Sequence, residues 1–286
     1  MKVMNNMKHT ILLRDKNFCT PNDTVITMDH FDWESDYNCN RDGMITVFTD
    51  HCLNTVDNCT SDYKIAWLLE PPAIVGFAYD YILNNWSKFD YILTHSDRLL
   101  GIDKKFIYCT CGGTSICESD RKVYPKRKMV STIASNKKYV PGHFFRHEAI
   151  AAVRDYKFFE VMGSGYRQIE NKLEGLKDFQ YSLTNENCRA GYYFSEKIID
   201  CFLTGTVPIY WGSPHIAEVF DSRGIICYED LEGLKRIFES LSYTDYQDRL
   251  EAVRNNFEIA SKGHINMDMN LWNFFFKDFL PRIYPE

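Results

Sequence analysis

Short apolar runs rich in β-forming residues alternate with segments of helical periodicity along this 286-residue chain, and the alternation occurs in two rounds. Strand–helix–strand order favours parallel pairing, because parallel neighbours need a crossover that a helix supplies. In the first round residues 25–28, 44–49, 63–69, 91–94 and 106–109 predict strands. Residues 73–86 predict a helix: Pro71 and Pro72 stop the strand and can open a helix, and Ile74, Phe77, Ala78, Tyr81 and Ile82 recur at helical spacing. In the second round strands are expected at 129–134, 158–161, 179–183, 207–211 and 225–228. Helices are expected at 141–156, with Pro141 in the first turn, and at 168–176, 194–203, 231–241, 246–260 and 270–280.

The two rounds predict an α/β chain with two open parallel sheets, and the length suits two cores. Between them five of the eight residues from Arg121 to Lys128 are basic, and Pro125 interrupts them. This stretch suits a solvated interdomain linker better than an electrostatic lip for a phosphate. The expected division is an N-terminal domain over 1–125, a second domain over 126–265 and a closing segment over 266–286. In two such domains a ligand belongs at the carboxyl ends of the strands, in the cleft between them.

A net charge of −6 argues against bulk nucleic-acid binding. No run is long enough to cross a membrane. The first apolar run, Ile11-Leu12-Leu13, is too short for a signal-peptide core and is followed by Arg14 and Asp15. The expectation is a soluble, cytoplasmic chain without an integral membrane segment, peripheral to a membrane at most. The ten cysteines include no C-x-x-C pair, so free reduced thiols are expected rather than a zinc site, even at Cys109, Cys111 and Cys117.

The densest chemistry lies in residues 185–214, NENCRAGYYFSEKIIDCFLTGTVPIYWGSP. A loop follows an expected strand and leads into a helix that starts near Ser195, Glu196 and Lys197. Free N–H groups at a helix start favour phosphate, and Lys197 adds a formal charge. Glu196 could complement the dipole or accept hydrogen bonds from sugar hydroxyls. Ordinary capping by Ser195 explains the same residues at least as well. Gly205 suits the end of that helix, and Gly212 suits a tight turn or a close approach after the next strand.

The string Glu186-Asn187, Tyr193-Phe194-Ser195-Glu196-Lys197-Ile198-Ile199-Asp200 and Val207-Pro208-Ile209-Tyr210-Trp211-Gly212 resembles the donor-site signature of the α-1,3-fucosyltransferases, glycosyltransferase family 10. The family pattern has Phe where Asn185 stands and Thr where Ser195 stands; Ser keeps the hydroxyl. The resemblance implies a GT-B fold: two Rossmann-like domains facing across a cleft, with a C-terminal helix crossing back. It implies inverting transfer of fucose from GDP-fucose to a hydroxyl of an oligosaccharide or glycan acceptor. Asn187, Tyr193, Ser195, Glu196 and Lys197 match donor-binding positions, and Arg146 in the helix after the first strand of the donor domain is the further match, with Arg154 as fallback. An Arg can grip a diphosphate bidentately.

Inverting transfer needs a base on the acceptor hydroxyl. The family takes it from a Glu after an acceptor-domain strand, which Glu70 fits. A capping or salt-bridged Glu70 is the alternative. Asp29, Asp32, Asp50 and His95 also lie near predicted strand ends, and His95 and Asp50 are the acceptor-side candidates. No Asp-x-Asp metal signature is present in this role, so no cofactor or metal is required, although a divalent cation could stimulate GDP release. A transferase for another GDP-sugar or acceptor, and an inactive nucleotide-sugar or glycan-binding module, are the competing readings.

Overall fold

The computed structural model describes residues 9–16, 30–36, 38–110, 112–264 and 266–283. The expected strand at 25–28, Asp29, Cys19 and Cys111 lie outside the described residues. The chain divides into one unit made of Met1–Cys111 with Asn266–Glu286 and a second made of Gly112–Ile265.

The first unit is built on a parallel sheet of β1 (His9–Arg14), β2 (Phe31–Ser35), β3 (Ile45–Thr49), β4 (Tyr63–Trp67), β5 (Tyr91–Thr94) and β6 (Phe106–Tyr108). Their order is β2-β1-β3-β4-β5-β6. Successive side chains in a strand face opposite ways. Phe48, Ala66 and Ile92 accordingly pack with Val75, Ala78 and Ile82 of α1 (Pro72–Asn85). Val47, Ile65, Trp67 and Leu93 serve a different core. The short helix α2 (Asp97–Leu100) follows β5.

Two of these strands were not expected. β1 rests on three apolar residues, and its place is set by pairing with β3 through Leu12↔Thr46 and Leu13↔Val47. β2 alternates apolar Phe31 and Trp33 with exposed Asp32 and Glu34, as an edge strand should. Asp32 is therefore inside an edge strand rather than at a strand end.

The second unit has a parallel sheet of β7 (Lys128–Ile133), β8 (Phe159–Met162), β9 (Phe179–Asn185), β10 (Val207–Trp211) and β11 (Ile226–Cys227), in the order β11-β10-β9-β7-β8. Its helices are α3 (Pro141–Val153), α4 (Glu196–Phe202), α5 (Ile216–Val219), α6 (Leu231–Ser240), α7 (Tyr243–Asp248) and α8 (Leu250–Gly263). Side chains of Ser195, Asp230 and Ser242 cap α4, α6 and α7. The helix expected over 168–176 is only a 3-10 turn, Lys172–Gly175, with a capping box from Asn171 and Glu174. Gly175 sits so close to β7 that a Cβ would lie 2.7 Å from the Ile133 side chain.

The basic stretch 121–128 belongs to this unit and is not a free linker. Lys122 N donates to Leu203 O at 3.0 Å and Arg127 N to Asp178 O at 2.8 Å. Lys126 Nζ reaches Leu176 O (3.0 Å), Lys177 O (3.2 Å), Thr204 O (2.8 Å) and Thr206 Oγ1 (2.9 Å). Burial pushes its pKa down to about 7, while the four oxygens suit the ammonium form.

The chain returns to the first unit as α9 (Met267–Leu271), a π-helical turn Trp272–Phe276 and α10 (Lys277–Ile283). Leu271, Phe275, Phe276 and Phe279 join Ile11, Leu13 and Phe31 in one core. Buried Asp268 accepts from Trp33 Nε1 at 2.9 Å and from His30 N at 3.1 Å, fastening this segment to β2. No helix among the described residues is long and apolar enough to cross a membrane.

Removing the Lys126 ammonium leaves buried carbonyl oxygens without their donor. Lys126→Met should lower unfolding free energy by roughly 2–3 kcal/mol, measured by denaturant titration.

Candidate functional site

β9 is buried at every one of its seven positions and delivers Glu186 to the carboxyl edge of the sheet. Glu186 N donates to Trp211 O at 2.9 Å, extending the pairing with β10 by one residue. The Glu186 side chain is wholly buried. An isolated carboxylate there would be very costly, and three donors offset the cost. Its Oε1 accepts from Ser195 N at 2.9 Å. Its Oε2 accepts from Ser195 Oγ at 2.7 Å and from Lys197 Nζ at 3.3 Å. Gly212 makes room for this arrangement. A Cβ there would lie 2.2 Å from Tyr210 Oη and 2.7 Å from Glu186 Cγ.

Ser195 is thereby tied up within the protein. It is the N-cap of α4, accepting from Lys197 N, and its Oγ also accepts from Lys197 Nζ at 2.8 Å. Glu186 and the Lys197 head group are thus held by one hydroxyl. Lys197 stays protonated: burial lowers its pKa, but Glu186 and Glu196 raise it further, and the net direction is up. Glu196 moves the opposite way. Burial raises its pKa, yet Lys197 and Lys172 pull it well below the usual carboxylate range. Tyr193 is buried in the loop before α4, its N–H donated to Ala190 O at 3.0 Å.

Asn187 joins this cluster to α3. Arg146 Nη2 donates to Asn185 O at 3.1 Å and to Asn187 Oδ1 at 3.2 Å, and His143 Nε2 lies 3.2 Å from the same Oδ1. Arg146 is 6% exposed. Burial and the Arg146 charge depress the His143 pKa, so His143 is neutral at neutral pH. Gly142 in the first turn of α3 touches the Asn187 backbone: a Cβ there would lie 2.1 Å from Asn187 O. Arg154 does not join them. It is the exposed C-cap of α3, eight residues and about 12 Å beyond Arg146. Asn185 donates through Nδ2 to Tyr228 Oη at 2.6 Å, which gives a polar residue a partner where the resembling pattern has Phe.

In the first unit, Asp50, Glu70 and His95 follow the neighbouring strands β3, β4 and β5 at their carboxyl ends. Asp50 heads a 3-10 helix, Asp50–Asn58, and its carboxylate accepts from Leu69 N at 2.9 Å and Glu70 N at 3.0 Å. Tyr79 Oη donates to Glu70 O at 3.1 Å and lies 3.3 Å from His95 Nε2. Burial drives the His95 pKa down to about 4, so it is a neutral ring at neutral pH. Burial raises Asp50 to about 7, against the opposing pull of the two backbone N–H groups. Among the described residues no group of three His, Cys, Asp or Glu side chains could hold a metal ion.

Known proteins bear on this geometry. No protein-family profile matches the chain. Over 126 residues, 42% of the chain, it is 37% identical to the alpha-(1,3)-fucosyltransferase FucT of Helicobacter pylori. Over that stretch the chain is similar to an α-1,3-fucosyltransferase. The match spans about a quarter of that relative, 25% of its length. Among solved structures, an α1,3-fucosyltransferase crystal structure with GDP-fucose gives a TM-score of 0.58 at 17% identity, covering 87% of this chain and 84% of that one. Another with GDP gives 0.60 at 16% identity, covering 94% and 95%. At those identities the likeness is one of fold class: two parallel α/β sheets, as in GT-B proteins, with the final helical segment belonging to the first unit.

The sequence alone gives Glu186 no role. Its type and spacing were visible in the Glu-Asn pair, but only the fold shows that it is buried between Ser195 and Lys197. Lys172 was missed entirely, because nothing in its own turn marks it as a partner of α4.

Two measurements test the geometry. Gly142→Ala should destabilise by roughly 1–3 kcal/mol in thermal unfolding, because its Cβ meets backbone rather than a movable side-chain end. The folded chain holds a proton on Asp50 up to about pH 7, whereas the ordinary carboxyl value is 3.8. Between those values the folded state binds more protons, so this group's contribution to stability falls as pH rises. Asp50→Asn should flatten the loss between about pH 4 and about pH 7 by on the order of 2 kcal/mol, read from denaturant midpoints.

Proposed function

We propose that this chain is an inverting fucosyltransferase that moves fucose from GDP-fucose to a sugar hydroxyl of a glycan acceptor. The observation that carries the reading is the pairing of two cations through two adjacent residues. Arg146 is held on Asn187 and Lys197 on Glu186, at the carboxyl edge where α/β sheets bind nucleotides. That arrangement suits a diphosphate. Asn187 and Tyr193 line the donor position, Glu196 accepts hydrogen bonds from ribose or sugar hydroxyls, and Ser195 organises Lys197.

Glu70 is the proposed base. It takes the proton of the acceptor hydroxyl as that oxygen bonds to C1 of fucose. The bond from C1 to the β-phosphate oxygen breaks, and GDP leaves with the electron pair. Attack from the face opposite GDP inverts C1. Arg146 and Lys197 offset the charge that grows on the leaving diphosphate. Asp50 and His95 support the acceptor side. Every step of this proposal is assigned to a side chain, and an N-acetylglucosamine or glucose unit, as the family resemblance implies, is the proposed acceptor class.

The test combines GDP calorimetry with a transfer assay. Glu70→Gln should cut transfer by about 10²–10⁴-fold and leave GDP affinity unchanged, whereas Lys197→Ala should weaken GDP binding by about 10–100-fold. Transfer that survives Glu70→Gln removes the base assignment. GDP binding in the wild type with no turnover of any GDP-sugar points to a binding module instead.

A further inference from the structure

Lys172 opens the 3-10 turn Lys172–Gly175, and its ammonium reaches α4. Nζ lies 3.1 Å from Glu196 Oε1 and 2.9 Å from Asp200 Oδ2. Glu196 and Asp200 are four residues apart, so they share one face of the helix. Asp200 is buried at 1% exposure. Its other oxygen, Oδ1, accepts from Thr114 Oγ1 at 2.6 Å and from Ser115 N at 2.8 Å. Asp200 is therefore a fixed anchor, and Lys172 is strung between that anchor and Glu196. The turn itself is held by the Asn171–Glu174 capping box and by the tight fit of Gly175 against Ile133.

The Glu196 side chain is 38% exposed and has a second cation within reach, Lys197 at 3.9 Å. Lys197 is already engaged with Ser195 and Glu186. The oxygen that binds Lys172 is the one that lies 3.9 Å from Lys197, so a Glu196 released from Lys172 is free to close that gap. There it would neutralise a charge that a diphosphate needs and withdraw its own oxygens from a ligand hydroxyl.

We propose that Lys172 is a positioning residue for donor binding. It holds Glu196 Oε1 at 3.1 Å, short of a closer contact with Lys197, and presents the other oxygen to a nucleotide hydroxyl. The proposal rests on the reading of Glu196 as a donor-binding residue. It assigns a ligand class as well: a nucleoside diphosphate, which offers both hydroxyls and phosphates, gains from Lys172 through Glu196.

A double-mutant cycle on GDP affinity tests this, using calorimetry on the wild type, Lys172→Met, Glu196→Gln and the double variant. Lys172→Met is expected to weaken GDP binding by about tenfold in the wild-type background and to have little effect once Glu196 is Gln. Lys172→Arg, which can still bridge both carboxylates, is expected to restore most of the affinity. An equal loss in both backgrounds overturns the proposal, because Lys172 then acts through the fold or touches the ligand itself. No loss in either background overturns it too. A wild type that binds GDP but is indifferent to Glu196→Gln removes the Glu196 assignment, and a wild type that does not bind GDP removes the functional reading beneath it. If Lys172→Met fails to fold because Asp200 is left unpaired, Lys172→Met/Asp200→Asn removes the orphaned charge and the same cycle is run on that pair.

Discussion

The buried carboxylate of Glu186 is the interaction on which the second unit's polar cluster depends. It sits at the end of a strand buried along its whole length, and it is tolerable there because Ser195 and Lys197 supply its donors. That requirement fixes the first turn of α4, since Ser195 must both cap the helix and face Glu186. It fixes Gly212, since any side chain there would occupy the space of Glu186 and Tyr210. It also aims Lys197, whose head group would otherwise be a mobile surface charge. Asn187, the next residue, places Arg146 by the same means. A single strand end therefore orients groups from two helices.

The first unit solves a related problem with backbone rather than cations. Asp50 collects the N–H groups of Leu69 and Glu70, and Tyr79 reaches Glu70 O and His95. These contacts hold the chain at the end of β4, so the Glu70 backbone is pinned from both sides. Both units thus use the loops beyond strand carboxyl ends, where a parallel sheet leaves polar groups unpaired, as places to fix polar and charged side chains.

Sequence periodicity was enough for β3 to β6 and for the strands of the second unit, down to the two-residue β11. It failed where tertiary pairing decides. The three apolar residues of β1 became a central strand through β3, and the stretch 168–176 became a turn because Gly175 is pressed against β7. The basic stretch 121–128 misled for a related reason: half-buried Lys126 is a donor to three carbonyl oxygens and a hydroxyl. At the site, Lys197, Glu196 and Asn187 were legible because they share one short segment with a recognisable order. Glu186 and Lys172 were not, because a carboxylate's burial and a lysine's partner 24 residues away are set by packing rather than local pattern.

The charges around α4 bear on more than ligand capture. Arg146, Lys172 and Lys197 stand against Glu186, Glu196 and Asp200, so the cluster is close to neutral before any nucleotide arrives. A departing nucleoside diphosphate carries more negative charge than the sugar nucleotide it came from. A strongly cationic pocket would hold that product most tightly of all and slow each cycle at its last step. On the proposed donor reading, internal counter-ions would moderate this grip, and the carboxylates that orient the lysines would also set how readily the spent nucleotide leaves.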